Sequence, residues 1–294
     1  MIPRAWTIKA LLKVSADYLK KKQIDNPRLT AEVLLAHQLE SDRVNLYLNL
    51  DQPLTEKEVS GYRALIKRRL GREPLQYITG MQEFWSLDFI VDARALIPRP
   101  ETELLVEHAL RLLKPLAESE NQEPKILDLG TGCGTLAVSL AKEVQNTQIW
   151  ATDNSHGALE LARLNAERNG VSDRIEFKKG DLWEPLMNLG IKFDIILSNP
   201  PYVASGEYND LPPEVRDYEP RSALDGGDGG MYYIERILTK APDYMKPKAW
   251  IMLEMSPDQT EKALGLVEKI EGYSDQARIR DYSRLYRIVM AQRA

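Results

Sequence analysis

The amino-acid sequence predicts an α/β protein: a doubly wound sheet preceded by a small helical bundle. Three observations carry this. From about residue 98 onward, short apolar runs alternate with amphipathic helical stretches, the pattern of a mostly parallel sheet covered on both faces. The run Gly130-Thr131-Gly132-Cys133-Gly134 joins the first of those apolar runs to a helix. Residues 1–75 have helical apolar spacing without a glycine-rich loop.

In the front part, Leu11, Leu12, Val14 and Leu19 sit near helical spacing, followed by Leu29, Val33, Leu34, Leu35 and Leu39. Thr55-Glu56-Lys57-Glu58 offers a capping box ahead of Val59, Leu65, Ile66 and Leu70. Residues 1–75 therefore read as one helical domain. The character changes over residues 76–97. Segments 76–80 and 83–91 are rich in aromatic and β-branched residues, with a glycine between them, which predicts a β-hairpin linking two domains. Residues 98–294 form the second domain, entered through Pro98 and Pro100 into a helix over 101–113. Strands follow at 125–129, 148–152, 174–177, 193–197 and 249–254, with helices at 135–144, 157–169, 231–244 and 259–270. Segments 277–281 and 286–291 close as a strand pair. The one long irregular stretch, 203–230, is rich in Pro, Gly, Asp and Glu. A loop of that length beside a motif is more often functional than idle.

Composition narrows the function classes. Hydrophobic residues make up 43% and charged residues 28% of the chain, enough to bury a core and ordinary for a globular protein. No apolar run approaches the roughly 20 residues that span a membrane, and residues 1–13 lack the apolar stretch of a secretory signal. Cys133 is the only cysteine, so no intrachain disulfide and no cysteine metal cluster can form. His37, His108 and His156 are scattered, so neither a histidine metal site nor a Ser-His-Asp triad is expected. A reducing cytoplasm fits, and a monomer is expected. The net charge of −5 argues against a general nucleic-acid binder. Residues 1–75 carry 14 Lys and Arg against 9 Asp and Glu, and the remainder 25 against 35. The basic front is either a solvated helical face or a docking element for an acidic macromolecule.

The run Phe193-Asp194-Ile195-Ile196-Leu197-Ser198 reads as a buried strand ending abruptly in Asn199-Pro200-Pro201-Tyr202. Two prolines remove two backbone donors and hold the chain stiff and extended. An Asn side chain, carbonyl oxygens that no helix uses and an aromatic face suit the grip of a planar NH2 group. Asn199 Oδ1 and the Pro200 carbonyl can each accept one N–H of such a group. They would orient its nitrogen and favour charge developing on it.

The glycine run follows an apolar strand ending in Asp128-Leu129 and opens a helix. Glycines let the backbone turn sharply and approach a ligand, and the helix start offers partial positive charge. The G-x-G-x-G spacing differs from the dinucleotide G-x-G-x-x-G. Asp153 ends the next strand, about twenty residues on, where an acid can accept both hydroxyls of a ribose. Gly180-Asp181-Leu182 follows the third strand and can meet an adenine, Asp181 accepting from its amino group and Leu182 packing on the ring. Cys133 reads as a small turn residue rather than a nucleophile.

Taken with the Asn199 motif, this set resembles the S-adenosylmethionine-dependent methyltransferases. The resemblance implies a class I, Rossmann-like domain in which Asp128, Gly130, Thr131, Gly132, Cys133, Gly134, Asp153, Asp181, Leu182 and Asn199 hold S-adenosylmethionine. Asn-Pro-Pro-Tyr resembles a signature of enzymes acting on planar nitrogens of bases and side-chain amides. Three further stretches closely resemble the release-factor glutamine methyltransferase family: Arg72–Gly80, Glu83-Phe84-Trp85-Ser86-Leu87 and Leu96-Ile97-Pro98-Arg99-Pro100-Glu101-Thr102-Glu103. Tyr218-Glu219-Pro220-Arg221-Ser222-Ala223-Leu224 adds a fourth.

That family resemblance implies methylation of the side-chain amide nitrogen of the glutamine in the Gly-Gly-Gln motif of class 1 peptide chain release factors. Asn199, Pro200, Pro201 and Tyr202 would bind and position the glutamine, with no direct nucleic-acid partner. Two departures from the family pattern are Cys133, where Thr or Ser is commoner, and Leu182, where some members carry Trp. Arg99, Glu101 and Glu103 divide between helix-dipole stabilisation and a role in which the Pro98–Glu103 segment borders the substrate pocket and closes over bound cofactor, and Phe84 and Trp85 between hairpin core and site wall. The competing readings are a ribosomal-protein glutamine methyltransferase, an amino-methyltransferase of nucleic-acid bases, and a cofactor-binding module without catalysis.

Overall fold

The computed structural model describes residues 6–117 and 123–294. Residues 1–5, the start of the predicted helical domain, lie outside the described residues. The chain divides into two compact units. One runs to Gly80 and takes in Pro213–Tyr218; the other holds Met81–Pro212 and Glu219–Ala294.

In the first unit, α1 (Ile8–Lys21), α2 (Pro27–Gln38), α3 (Arg43–Leu48), α4 (Glu56–Leu70) and α5 (Leu75–Thr79) surround buried Leu12, Leu19, Leu34, Leu35, Leu46 and Tyr62. Side-chain caps set the helix starts. Thr7 accepts from Ala10 N at 3.3 Å, Asp42 from Asn45 N at 2.7 Å, and Thr55 with Glu58 forms the capping box read in the sequence. Val14 and Leu29 are exposed, so the buried stripe is narrower than the apolar spacing suggests. Buried Glu32 accepts from Arg28, Arg43 and Tyr47. Burial pushes its carboxyl up, but those three hydrogen bonds together outweigh it and hold the group below the ordinary carboxylate range. The short α9 (Pro213–Arg216) belongs to this unit. Its Glu214 pairs with Arg69 at 3.0 Å and Arg72 at 3.2 Å, and Tyr218 donates its hydroxyl to the Gly71 carbonyl at 2.5 Å.

The predicted hairpin needs a correction. Segment 76–80 is not its first arm but lies in α5, which starts behind Pro74 and stops at Gly80 (φ +75°), whose N–H returns to the Gln76 carbonyl. The glycine between the two arms is a helix stop. The hairpin is β1 (Met81–Phe84) and β2 (Leu87–Ile90), turning at Trp85 and Ser86, both with positive φ (+53° and +55°). Positive φ at both central residues is the twist-matched hairpin turn, here built without glycine. Phe84 packs edge-on against Phe89 with ring centroids 6.0 Å apart.

The second unit holds α6 (Glu103–Ala117), β3 (Lys125–Leu129), α7 (Thr135–Glu143), β4 (Gln148–Asp153), α8 (His156–Arg168), β5 (Ile175–Lys179) and β6 (Phe193–Ser198). It continues through α10 (Tyr232–Lys240), β7 (Met245–Glu254), α11 (Thr260–Val267), β8 (Tyr273–Arg280) and β9 (Tyr286–Arg293). The last two strands and β7 run longer than predicted. The predicted helix over 231–244 ends at Lys240 and tightens into a 3-10 turn, because Pro242 cannot continue the ladder. The seven strands are ordered β5-β4-β3-β6-β7-β9-β8, parallel from β5 to β7, with β9 antiparallel to both β7 and β8. The chain moves outward from β3 through β4 to β5, then crosses back to β6, so the order reverses between β3 and β6. Leu127, Ile196, Ile251 and Leu253 fill the core across these strands. This is a doubly wound, Rossmann-like sheet.

Candidate active site

Leu129 of β3 pairs with Ser198 of β6, so the glycine turn and Asn199-Pro200-Pro201-Tyr202 leave the sheet side by side. This is the topological switch point, where doubly wound sheets bind ligands. Gly130 N and Thr131 N both donate to the Thr152 carbonyl at 2.9 Å. Gly130, Gly132 and Gly134 have φ of +73°, +56° and +90°, a conformation that side chains disfavour. Gly134 is also tightly packed, since a Cβ there would lie 3.1 Å from that of Ala162. The Asp153 carboxylate ties the turn down. One oxygen accepts from Gly132 N at 2.9 Å and the other from Ser155 N at 2.8 Å.

A cavity of about 1030 Å³, counted with its open mouth, lies over this junction. Of the residues predicted from the sequence, Asp128, Gly130, Thr131, Gly132, Cys133, Asp153, Asp181, Leu182, Asn199, Pro200 and Pro201 line it. Gly134 and Tyr202 do not. Gly134 caps α7 below the turn, and the Tyr202 ring packs against the apolar core. Burial raises the Tyr202 phenol well above its ordinary range, with the nearby Glu254 adding to the shift. Asp181 is not free: Arg236 Nη2 donates to its Oδ2 at 2.5 Å. Burial pushes the Cys133 thiol up to about 12, which makes it a packing residue at neutral pH.

Asn199 donates Nδ2 to the Thr102 hydroxyl at 3.0 Å, which turns Oδ1 the other way. Among the described residues, none donates a hydrogen bond to the Pro200 carbonyl. Beyond it, the strand exit is clamped. The Tyr202 carbonyl accepts from Gln259 Nε2 at 2.7 Å, and Val203 exchanges backbone bonds with Leu224 and Gly226. Gly230 (φ +70°) closes the clamp: a Cβ there would lie 2.1 Å from the Tyr202 carbonyl oxygen. Gly230→Ala is therefore expected to shift the motif and lower kcat at least tenfold, with a drop in Tm. Steady-state kinetics beside a melting curve check this.

Residues given no site role from the sequence complete the walls: Arg94, Pro220, Ser222, Ala223 and Tyr233 line the cavity, as does Thr102 of the Pro98–Glu103 segment. Arg99, one of the divided residues, lines it too and pairs with buried Glu219 at 2.5 Å, while Glu219 also accepts from Ile97 N at 3.0 Å. Glu103 instead accepts from Trp85 N at 2.8 Å, and Trp85 Nε1 donates to Glu143 at 2.9 Å, so both support the hairpin rather than the cavity. Asn165 is fully buried and bridges Ile90 and the Cys133 carbonyl, fixing the hairpin to the glycine turn.

Buried carboxyls give the site its electrostatics. Asp128 is fully buried and accepts from Thr131 Oγ1 at 2.6 Å, while its Oδ1 has no partner among the described residues. Burial pushes its carboxyl up to about 7, against hydrogen bonds from Thr131 and the Ala137 backbone. Burial also raises Asp153. The sign for stability follows. Below about pH 4 Asp128 is neutral in the folded and unfolded chain; between about 4 and 7 only the unfolded chain releases the proton, so stability falls as pH rises. The loss, at most about 4 kcal/mol, is complete above pH 7. Asp128→Asn should therefore lose less Tm than the native chain between pH 5 and pH 8, which thermal melts at both values measure.

Comparison with known proteins agrees with this geometry. Residues 10–80 match the family model of the PrmC N-terminal domain, and residues 102–211 the methyltransferase small domain. A release factor glutamine methyltransferase of Geobacter sulfurreducens is 43% identical over 98% of this chain and 97% of its own length. That of Chlorobaculum tepidum is 39% identical over 97% and 96%. The chain belongs to the release factor glutamine methyltransferase family. Members of this family are enzymes, and this one carries their methyltransferase domain with the cavity formed.

Among solved structures, the hMettl16 catalytic domain matches with a TM-score of 0.58 at 18% identity, covering 74% of this chain and 80% of that one. A T. thermophilus 16S rRNA N2 methyltransferase in complex with AdoMet and guanosine matches with a TM-score of 0.50 at 16% identity, over 73% and 50%. At such identities these matches show the fold alone, and that fold is the class I methyltransferase domain. No helix among the described residues is long and apolar enough to cross a membrane.

Proposed function

We propose that this chain transfers a methyl group from S-adenosylmethionine to the side-chain amide nitrogen of the glutamine in the Gly-Gly-Gln motif of class 1 peptide chain release factors. The carrying observation is the acceptor pair on the cavity wall: Asn199 with its Nδ2 committed to Thr102, beside a Pro200 carbonyl to which no described residue donates. An amide NH2 has two N–H groups to satisfy, and this pair offers two acceptors. Names of relatives identical at 39–43% over nearly the full chain support the substrate class.

The residues present fit the methyl donor. A Cβ at Gly130 or Gly132 would meet nothing within 4 Å, so the backbone there is open to close approach. Asp153 lies at the end of β4 on the cavity wall, where its carboxylate can accept ribose hydroxyls. Leu182 offers an apolar surface for the base, and Asp181 has Oδ1 left after its pairing with Arg236. Once bound, S-adenosylmethionine supplies an electrophilic methyl on a sulfonium whose positive charge vanishes on transfer.

The chain's own contribution is orientation and charge. An amide nitrogen is a poor nucleophile because its lone pair is delocalised into the carbonyl. Two acceptors at fixed positions hold the NH2 group against rotation and stabilise the positive charge that grows on nitrogen as the S–CH3 bond breaks and the N–CH3 bond forms; loss of one N–H proton to solvent then leaves the neutral N-methyl amide and the demethylated cofactor. Pro201, also on the wall, stiffens the grip. Tyr202 acts from behind, its ring on the core and its carbonyl on Gln259. The excess of basic residues in 1–75 would dock the release factor.

Purified protein, methyl-labelled S-adenosylmethionine and a class 1 release factor test this reading. Label should enter the native factor and be lost when its Gly-Gly-Gln glutamine is changed to alanine. Equal labelling of both factors, or preferential labelling of ribosomal protein, DNA or ribosomal RNA, contradicts it.

A further inference from the structure

Glu254 ends β7, the neighbour of β6 on the side away from β3. The register pairs Ser198 with Leu253, which sets Asn199 and Glu254 at adjacent strand ends. The side chain is buried and does not line the cavity. Its Oε2 has no hydrogen-bond partner among the described residues. The polar side chains that act on its carboxyl are Thr102 and, more weakly, Asn199. Nothing in the acceptor pair itself explains an acid at this position, and leaving a carboxyl oxygen buried without a partner is costly.

We infer that Glu254 is a positioning residue for methyl transfer, acting through Thr102 to fix which way the Asn199 amide points. The inference rests on the reading of Asn199 as an acceptor. A hydroxyl has one hydrogen to give and lone pairs to receive. Thr102 receives Asn199 Nδ2 at 3.0 Å, so its own hydrogen needs an acceptor, and the buried carboxylate behind it is one. Donation from Asn199 Nδ2, to the Thr102 hydroxyl or to the carboxylate itself, runs in a single direction, and that direction leaves Asn199 Oδ1 for the substrate. A protonated Glu254 can donate to Thr102 instead. The Thr102 hydrogen is then available to Asn199 Oδ1, the amide turns over, and the acceptor is replaced by a donor.

The surrounding groups put this switch in an accessible range. Burial pushes the Glu254 carboxyl up to about 7. Glu101, on the turn that carries Thr102, adds to the rise, while Arg287 of β9 opposes it. Arg287 is itself paired with Asp281 at 3.1 Å. Tyr202 is the remaining titratable neighbour, and its raised phenol stays neutral throughout. The carboxylate form is the one that orients Asn199 correctly, so kcat rises with pH through about 7.

Glu254→Gln and Thr102→Val break this hydrogen-bond path from its two ends, and each is assayed from pH 5.5 to 9 with cofactor affinity measured separately. Each should lower kcat at pH 8 about tenfold, flatten the rise through neutrality and change the cofactor Kd less than about twofold. The double variant should be no slower than the slower single, because both remove one interaction. A Glu254→Gln protein with native kcat and native pH profile overturns the inference, as do single losses that multiply in the double variant. Asn199→Ala, run alongside, separates the layers: if it keeps native kcat, the acceptor reading fails and the inference fails with it. If it is inactive while Glu254→Gln is fully native, only the inference fails.

Discussion

Asn199→Ala should abolish methyl transfer, with kcat lowered about 10³-fold, while cofactor affinity stays within severalfold of the native value. The magnitude follows from the geometry. On the proposed reading, removing Oδ1 takes away one of two acceptors for the nitrogen on which charge develops and frees the NH2 group to rotate out of line. The truncation removes no backbone bond of the glycine turn, which is held by Thr152 and Asp153 instead. Binding of the cofactor or its demethylated product by calorimetry, beside single-turnover transfer to a release factor, separates the two effects. Asn199→Asp makes the complementary point. It keeps the oxygen but gives Thr102 no donor, so activity should fall by less than in the alanine variant.

Asp153→Ala should fail in the opposite way, weakening cofactor binding at least 100-fold with a smaller loss of kcat at saturation. Both carboxylate oxygens are engaged by backbone N–H groups of Gly132 and Ser155. Alanine leaves those two donors without acceptors, at about 1–3 kcal/mol for each that stays buried. The glycine turn relaxes, and on the proposed reading the ribose loses its acceptor in the same step. Asp153→Asn keeps one acceptor and replaces the other by a donor facing an N–H, so it should recover little. Equilibrium dialysis with the demethylated product ranks the three proteins without relying on turnover.

The middle of the sheet was legible because β3, β6 and the end of β7 are buried on both faces and read as mostly apolar runs. The glycine turn, Asp153 and Asn199-Pro200 were legible for a related reason. Their residue types are awkward for regular structure, so each needs a special position. The hairpin was misplaced by one element because Gly80 fits equally a turn between strands and the stop of a helix. The bond from the Gly80 N–H to the Gln76 carbonyl identifies it as the stop.

Glu254 was not legible as a site residue, and Thr102 was legible only as one position of the Pro98–Glu103 border, without its contact to Asn199. Thr102 sits inside an Arg-Pro-Glu-Thr-Glu run whose charged neighbours draw attention, and its value lies in a contact 97 residues away. Glu254 ends an apolar strand, where an acid is an unremarkable stop. Its meaning comes from the pairing of β6 with β7, a register that periodicity does not carry. One signal was present: Glu254 follows four apolar residues, Trp250 to Leu253, at the carboxyl end of a buried strand, the end where this fold collects its ligands. Tyr202 stands apart from the other three residues of its motif: an aromatic beside an acceptor cluster suggests a stacking face, while in the structure it is partly buried against the apolar core, does not line the cavity, and its carbonyl accepts from Gln259.

The most direct measurement is tandem mass spectrometry of the release-factor peptide containing Gly-Gly-Gln after incubation with this protein and S-adenosylmethionine. The account predicts a gain of one methylene mass, with fragment ions placing it on the glutamine side chain, and no gain with the Asn199→Ala protein. A methyl group on another residue of that peptide, or an unmodified peptide under conditions where nucleic acid or ribosomal protein is methylated, contradicts it.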